Sequence, residues 1–146
     1  METSLDRNYE LVDGFNKMDF QRVTEMLRSA WWSEGISRSE VIQGAKNSTL
    51  IVGAFTRDGL QIGYCRVVSD KTRFAYILDV YVDERHRRKG LGQSMIRHIL
   101  THPELKDVYQ WLLSTRDAHG VYAKVGFKGL ENPDRWMEIR KPRPER

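Results

Sequence analysis

Thiol chemistry is nearly absent from this chain of 146 residues, which contains one cysteine, Cys65. A single thiol cannot close an internal disulfide or build a multi-thiolate metal site, so disulfide and zinc frameworks drop out and a reducing compartment is expected. Long apolar runs are missing as well. The longest, Thr49 to Phe55 and Ala75 to Val82, fall far below the ~20 residues of a membrane-spanning helix. The opening residues Met1-Glu2-Thr3-Ser4-Leu5-Asp6-Arg7 have neither an apolar core nor a small-residue cleavage pattern. No secretory signal is therefore expected, and the location expected is cytoplasmic. Internal repeats and low-complexity stretches are absent, as are Ser-His-Asp and paired-carboxylate patterns.

What is present is an ordinary globular composition, 40% hydrophobic, enough for one continuous core and one domain over residues 1–146. The net charge of +4 is informative only through its placement. Basic residues concentrate in Arg85-His86-Arg87-Arg88-Lys89 and in the tail from Arg140. The tail holds two prolines and no apolar residue, so 141–146 read as a solvated, flexible end.

Periodicity divides the chain into alternating elements. Tyr9 to Val12 reads as a strand closed by Asp13-Gly14. Asp19 caps a helix to about Ala30 with Phe20, Val23, Met26 and Leu27 on one face, and Ser37 with Glu40 resembles a capping box for a helix from Arg38 to Ala45. Three β-rich runs follow, Leu50–Phe55, Gln61–Val68 and Phe74–Val82, joined by short turns as an antiparallel meander. Helical spacing returns with Leu91, Met95, Ile99 and Leu100. A strand at Asp107–Ser114, a short helix at Ala118–Lys124 and a last strand at Arg135–Ile139 complete the order β-α-α-β-β-β-α-β-α-β.

The first basic cluster sits where a strand runs through a glycine-rich turn, Gly90-Leu91-Gly92, into a helix. Such a junction presents unpaired N–H groups at the positive end of the helix dipole, and glycine lets an anion approach the backbone. Arg87, Arg88 and Lys89 add cationic donors suited to a pyrophosphate. A Walker loop is absent, and a dinucleotide fingerprint would need glycine where Met95 stands.

Arg87-x-x-Gly90-x-Gly92, after a strand and before a helix, resembles the central motif of the GNAT (Gcn5-related N-acetyltransferase) superfamily. Leu78 to Glu84 is similar to that family's fourth strand and its exit, and Val121-Tyr122-Ala123-Lys124-Val125-Gly126-Phe127 to its second motif. The resemblance implies a mixed α+β fold, a mostly antiparallel sheet whose fourth and fifth strands are parallel and splay apart. It implies acetyl-CoA as co-substrate, with no metal, and an acceptor amine on a small molecule or a protein. The cofactor surface would comprise Val80, Tyr81 and Val82 on the strand, Arg87, Arg88, Lys89, Gly90, Leu91, Gly92 and Gln93 on the turn, and Thr115, His119 and Tyr122 beyond. Val80 and Val82 would pair with the pantetheine arm as an added strand, and the amides from Arg88 to Gln93 would hold the pyrophosphate. Thr115 stands where many relatives have asparagine. Membership also suggests a homodimer.

Within that frame Tyr122 would give the leaving thiolate its proton, and the N–H of Val80 would face the oxyanion. Asp79 is the first choice as base; it could instead bind the acceptor's cation, or be tied to an arginine. His119, one turn before Tyr122, could orient its hydroxyl or simply start the helix. Cys65, mid-strand, reads as a structural thiol. On the acceptor side Trp31, Trp32 and Glu34 occupy the loop between the first helices, with one tryptophan in the core and the other a pocket wall; Trp136 is a further candidate wall. Glu34 or Asp79 would suit a cationic amine, Arg66 or Arg116 an acceptor carboxylate. The alternatives are an acetyl-CoA sensor without turnover and a basic nucleic-acid module.

Overall fold

The computed structural model describes residues 5–146; Met1 to Ser4, part of the stretch read above as lacking a secretory signal, lie outside the described residues. Five strands, β1 (Tyr9–Asp13), β2 (Leu50–Thr56), β3 (Gln61–Ser69), β4 (Phe74–Val82) and β5 (Gln110–Leu112), form one sheet in sequential order. The first four are antiparallel neighbours, and β5 joins β4 in parallel. Four α-helices accompany them, α1 (Phe20–Arg28), α2 (Arg38–Lys46), α3 (Leu91–Leu100) and α4 (His119–Ala123). The mixed α+β class and the single parallel pair are as expected.

Local chemistry sets the helix starts. The Asp19 carboxylate accepts from Arg22 N at 3.1 Å and opens α1, and Ser37 Oγ accepts from Glu40 N at 3.1 Å and opens α2. Only the forward half of the capping box forms, because the Glu40 carboxylate pairs with Arg146. Alternation along β2 divides the core between the two faces of the sheet. Leu50, Val52 and Ala54 join Met95, Ile96 and Ile99 of α3 on one face, whereas Ile51 joins Val23, Leu27, Val41 and Ala45 of α1 and α2 on the other. Each fully buried large side chain contributes about 1.5–3 kcal/mol, so the amphipathic stripes outweigh local propensity in holding these short helices. Gly63 lets α3 press close, since a Cβ there would stand 2.9 Å from Ala54 Cβ and 3.2 Å from Met95 Cε.

Two expectations are corrected at the C-terminal end. The strand expected over Asp107–Ser114 shrinks to Gln110–Leu112. The expected last strand at Arg135–Ile139 does not form: Pro133–Arg135 make a 3-10 turn, and the chain beyond has no regular structure. The reason is physical. A strand exists only where a neighbour offers its N–H and C=O groups, and none of this chain's own strands pairs with that segment. No described helix is long and apolar enough to cross a membrane.

Two buried polar groups escaped the sequence pattern. Gln61 is fully buried and ties β3 to the start of α1, accepting from Asp19 N at 2.8 Å and donating to Gly63 O at 3.0 Å. Tyr64 is also buried. Among the described residues its hydroxyl is the one buried side-chain polar atom without a hydrogen-bond partner, and burial pushes the phenol well above the ordinary tyrosine range. An unsatisfied buried hydroxyl costs about 1–3 kcal/mol. Tyr64→Phe should therefore raise stability by about 1 kcal/mol, seen as a melting temperature a few degrees higher; a lower melting temperature would show that the hydroxyl is satisfied.

Candidate active site

The site begins where β4 outruns its neighbour. Pairing with β5 covers only Phe74↔Gln110, Ala75↔Trp111 and Tyr76↔Leu112, after which β4 runs on to Val82 paired with β3 alone. Opposite Cys65 the β3–β4 ladder shifts register, and Asp79 takes φ 55°, a left-handed conformation that aspartate tolerates better than most residues. Asp83 N donates to Ile62 O at 2.7 Å, toward β3. Strand alternation therefore points the N–H and C=O groups of Val82, and of Val80 two residues before, into the gap on the β5 side.

From Val82 the chain enters a turn held at several points. The Asp83 carboxylate accepts from Arg85 N and pairs with Arg22; burial works to raise its pKa, but these donors outweigh it and the carboxyl lies below its usual range. The Tyr9 hydroxyl and His86 Nδ1 hydrogen-bond at 2.7 Å. Arg88 and Gly90 both adopt left-handed backbone, at φ 65° and 74°, and α3 starts at once. Among the described residues no side chain caps α3. Its first amide paired back to the turn is Ser94 N, on Gly90 O at 2.9 Å, leaving the N–H groups of Leu91, Gly92 and Gln93 at the positive end of the dipole. A Cβ at Gly90 or Gly92 would meet nothing within 4 Å. Backbone donors and open space together make an anion cradle.

The cations of this turn are dispersed. Arg87 Nε donates to Val82 O at 2.8 Å while its guanidinium sits 5.3 Å from the Tyr81 ring centre, and Lys89 Nζ lies 5.9 Å from the centre of Tyr9. Arg88 is exposed and makes no ion pair among the described residues.

On the far wall, Thr115 Oγ1 accepts from Ala118 N at 3.0 Å and starts α4, while the Gln93 side-chain amide donates to Val121 O at 3.3 Å and fastens α4 to α3. Tyr122 is half-buried against the core of the α3 face, with Phe127 edge-on at 6.2 Å. Its hydroxyl has no hydrogen-bond partner among the described residues, His119 included, and His119 is exposed. Burial first, and the neighbouring Cys65 second, push the Tyr122 phenol up to about 12. Cys65 itself is fully buried and its thiol is driven far up by the same desolvation, so it stays protonated.

Across the sheet, Asp79 is not free to act as the expected base. Arg66 Nε donates to its Oδ2 at 2.7 Å and Trp32 Nε1 to its Oδ1 at 3.0 Å. Both oxygens have donors, and the pair also occupies the Arg66 expected to meet an acceptor carboxylate. Arg66 Nη1 reaches Ser48 Oγ at 3.3 Å as well. Trp32 packs edge-on to Trp31 and to Tyr81, whose hydroxyl meets Ser29 Oγ at 2.8 Å. Trp31, 45% exposed, faces the solvent side with the Arg116 guanidinium 4.3 Å from its ring centre. Trp31, Trp32, Asp79, Arg66 and Arg116 are thus brought together, and Tyr81 with them. Glu34 is exposed without an ion pair among the described residues, and Trp136 lies on no strand. Nothing in the sequence pattern signals the left-handed Asp79, the Arg22–Asp83 pair or Arg116 over Trp31. The two contacts join elements far apart in the chain, and the Asp79 conformation goes with the register shift between β3 and β4, so only the assembled fold reveals them.

A family model described as the acetyltransferase (GNAT) family matches residues 18–127. Among solved structures, a GNAT-family acetyltransferase from Xanthomonas campestris pv. campestris superposes with TM-score 0.87 at 29% identity, covering 95% of this chain and 96% of that one. An acetyltransferase from Deinococcus radiodurans gives 0.75 at 24% identity over 96% and 92%. One from Clostridium acetobutylicum, described with acetyl-CoA, shares the fold at TM-score 0.64 and 15% identity over 90% and 96%. No curated protein matches the chain.

Proposed function

Because the chain belongs to the GNAT acetyltransferase family, we propose that it transfers the acetyl group of acetyl-CoA directly to an amine. The observation that carries this reading is the uncapped start of α3 beside the unpaired edge of β4. An elongated ligand with an anionic end and an amide-bearing arm fits that combination. Amides of Arg88 to Gln93 receive the pyrophosphate, with Arg88 as the nearest uncommitted cation, and Val80 and Val82 offer backbone partners to the pantetheine. For the Val82 carbonyl to serve, Arg87 must release it.

In the transfer, the amine nitrogen bonds to the thioester carbon, the C–S bond breaks, and the nitrogen's proton is lost to solvent. The N–H of Val80 faces the oxygen on which negative charge gathers, a role supported by its position on the β5-side edge of β4. Tyr122 supports the departing sulfur. A phenol at about 12 keeps its proton throughout the working range. Giving that proton outright to a thiolate whose thiol sits near 8.5 is uphill by about 5 kcal/mol. Tyr122 therefore acts as a hydrogen-bond donor to the developing thiolate rather than as a freely titrating acid. Asp79 keeps the aromatic wall and Arg66 in place. With both its oxygens engaged, a water takes the amine's proton or the amine arrives neutral.

The direct test is release of CoA thiol from acetyl-CoA against a panel of amines, after ligand-induced stabilisation has shown that acetyl-CoA binds. A pH series sharpens it. A lysine-like amine is neutral about once in 2,500 at pH 7, equivalent to ~4.6 kcal/mol, so the rate under subsaturating acceptor should climb about tenfold per pH unit. Tyr122 stays protonated below about 12, so no falling limb should appear up to pH ~10. A descending limb centred near pH 8 or 9 in a protein still folded would contradict this role for Tyr122.

A further inference from the structure

Three segments far apart in the chain meet in one ion pair: the first turn of α1, the start of β3 and the turn that leaves β4. Arg22, in the first turn of α1, bridges the other two with separate nitrogens of one guanidinium. Its Nε donates to Gln61 O at 2.9 Å, and its Nη2 donates to Asp83 Oδ2. The guanidinium is planar and rigid, so the two bonds set the angle between strand and turn as well as their separation. The helix that carries Arg22 is anchored to the same residue of β3, since Asp19 N donates to Gln61 Oε1 at 2.8 Å. The third nitrogen, Nη1, lies 3.6 Å from the more exposed Glu25. Arg22 and Asp83 side chains are each 21% exposed, which shields their pair from solvent and salt.

Asp83 carries that anchorage into the turn. Its Oδ1 accepts from Arg85 N at 3.0 Å and its carbonyl from His86 N at 2.8 Å, which winds Glu84–His86 into a 3-10 turn. Arg88, two residues further on, already has left-handed backbone, and the amides of the cradle follow at once. Any change in the path of residues 83–86 therefore moves those donors. Charge matters as well as shape. A carboxylate in the turn that leads into an anion cradle opposes the anion, and Arg22 supplies the charge that cancels it.

We propose that Arg22 is a positioning residue for cofactor binding: through Asp83 it holds the turn so that the amides from Arg88 to Gln93 converge on the pyrophosphate, and it neutralises the carboxylate beside them. The inference rests on the reading of that cradle as the pyrophosphate site. Nothing in this role involves the acetyl group or the acceptor, so its effect falls on the phosphate-bearing half of the cofactor.

Calorimetric titration of the full chain with acetyl-CoA, and with acetyl-pantetheine, which lacks the pyrophosphate, separates this role from a merely structural one. Arg22→Gln should weaken acetyl-CoA about 10-fold or more and acetyl-pantetheine less than about 2-fold, a selective loss that general loosening of the fold does not produce. Arg22→Lys keeps the charge but cannot hold both oxygens, and should fall between wild type and Arg22→Gln. Adding Asp83→Asn to Arg22→Gln should recover part of the affinity, because the unpaired carboxylate is gone. Melting of the unliganded variants checks that they are folded; if Arg22→Gln does not fold, Arg22→Lys carries the comparison. Unchanged acetyl-CoA affinity in a folded variant, equal losses for both ligands, or a further loss in the double variant would overturn the proposal, with Gly92→Glu still unable to bind. Acetyl-CoA binding that survives Gly92→Glu would overturn the cradle itself, and this role of Arg22 with it.

Discussion

Gly92→Glu is expected to abolish acetyl-CoA binding while leaving the unliganded protein as stable as before, or more so. Gly92 is the second residue of α3, and a Cβ there would meet nothing within 4 Å beyond its chain neighbours and its own helix backbone. No clash therefore accompanies the substitution. In the free protein glutamate belongs at that position: it lies in the first turn, where the helix dipole favours a carboxylate by about 0.3–1 kcal/mol, and it replaces a glycine that costs a helix up to about 1 kcal/mol. In the complex proposed above the same carboxylate would meet the pyrophosphate. One unit charge at ~4 Å in a partly solvated site is repelled by roughly 4 kcal/mol, on the order of 10³-fold in affinity. A concentration that gives the wild type about 2.7 kcal/mol of stabilisation, some 100 times Kd, should then give almost none. Calorimetric melting with and without acetyl-CoA reads both arms at once. A variant that melts normally and is still stabilised by acetyl-CoA would place the ligand elsewhere.

Tyr122→Phe should lower the rate of transfer about 10²-fold or more while changing acetyl-CoA affinity little. The ring stays, and with it the edge-on contact to Phe127 and the packing on the α3 face. The hydroxyl bonds to no protein group among the described residues, so its removal orphans no partner and stability should hold. On the proposed reading what is lost is a donor to the sulfur as charge collects there, an interaction made chiefly in the transition state, which is why kcat should fall rather than KM rise. A variant that turned over normally would make Tyr122 an ordinary wall residue, with the thiolate departing unassisted.

Much of the fold was legible because its signals are local. Asp19 and Ser37 mark helix starts through their own side chains, and the β2 to β4 runs are long enough for composition and turns to bracket them within a residue or two. The uncapped glycine turn was readable for the same reason. What failed were features decided by distant partners. Residues 135–139 have the composition of a strand, but no neighbour within the chain, so pattern alone misplaced them. In the sequence Asp79 is the first choice as base because it lies on the strand beside the expected thioester; the alternative left open, a tie to an arginine, is what the fold supplies, with Arg66 and Trp32 reaching it from another strand and another loop. His119 shares a helix turn with Tyr122, yet shared spacing put no hydrogen bond between them. The raised pKa of Tyr122 likewise follows from burial that only the assembled core supplies.

The central claim is tested most directly by following acetyl-CoA and a panel of primary amines together, counting CoA thiol released and acetylated amine formed by mass spectrometry. The expected result is amine-dependent thiol release with one acetylated amine for each thiol, lost in Gly92→Glu and slowed about 10²-fold in Tyr122→Phe. Saturable acetyl-CoA binding with no amine-dependent release across small-molecule and protein amines would contradict catalysis and leave a ligand-binding protein in its place.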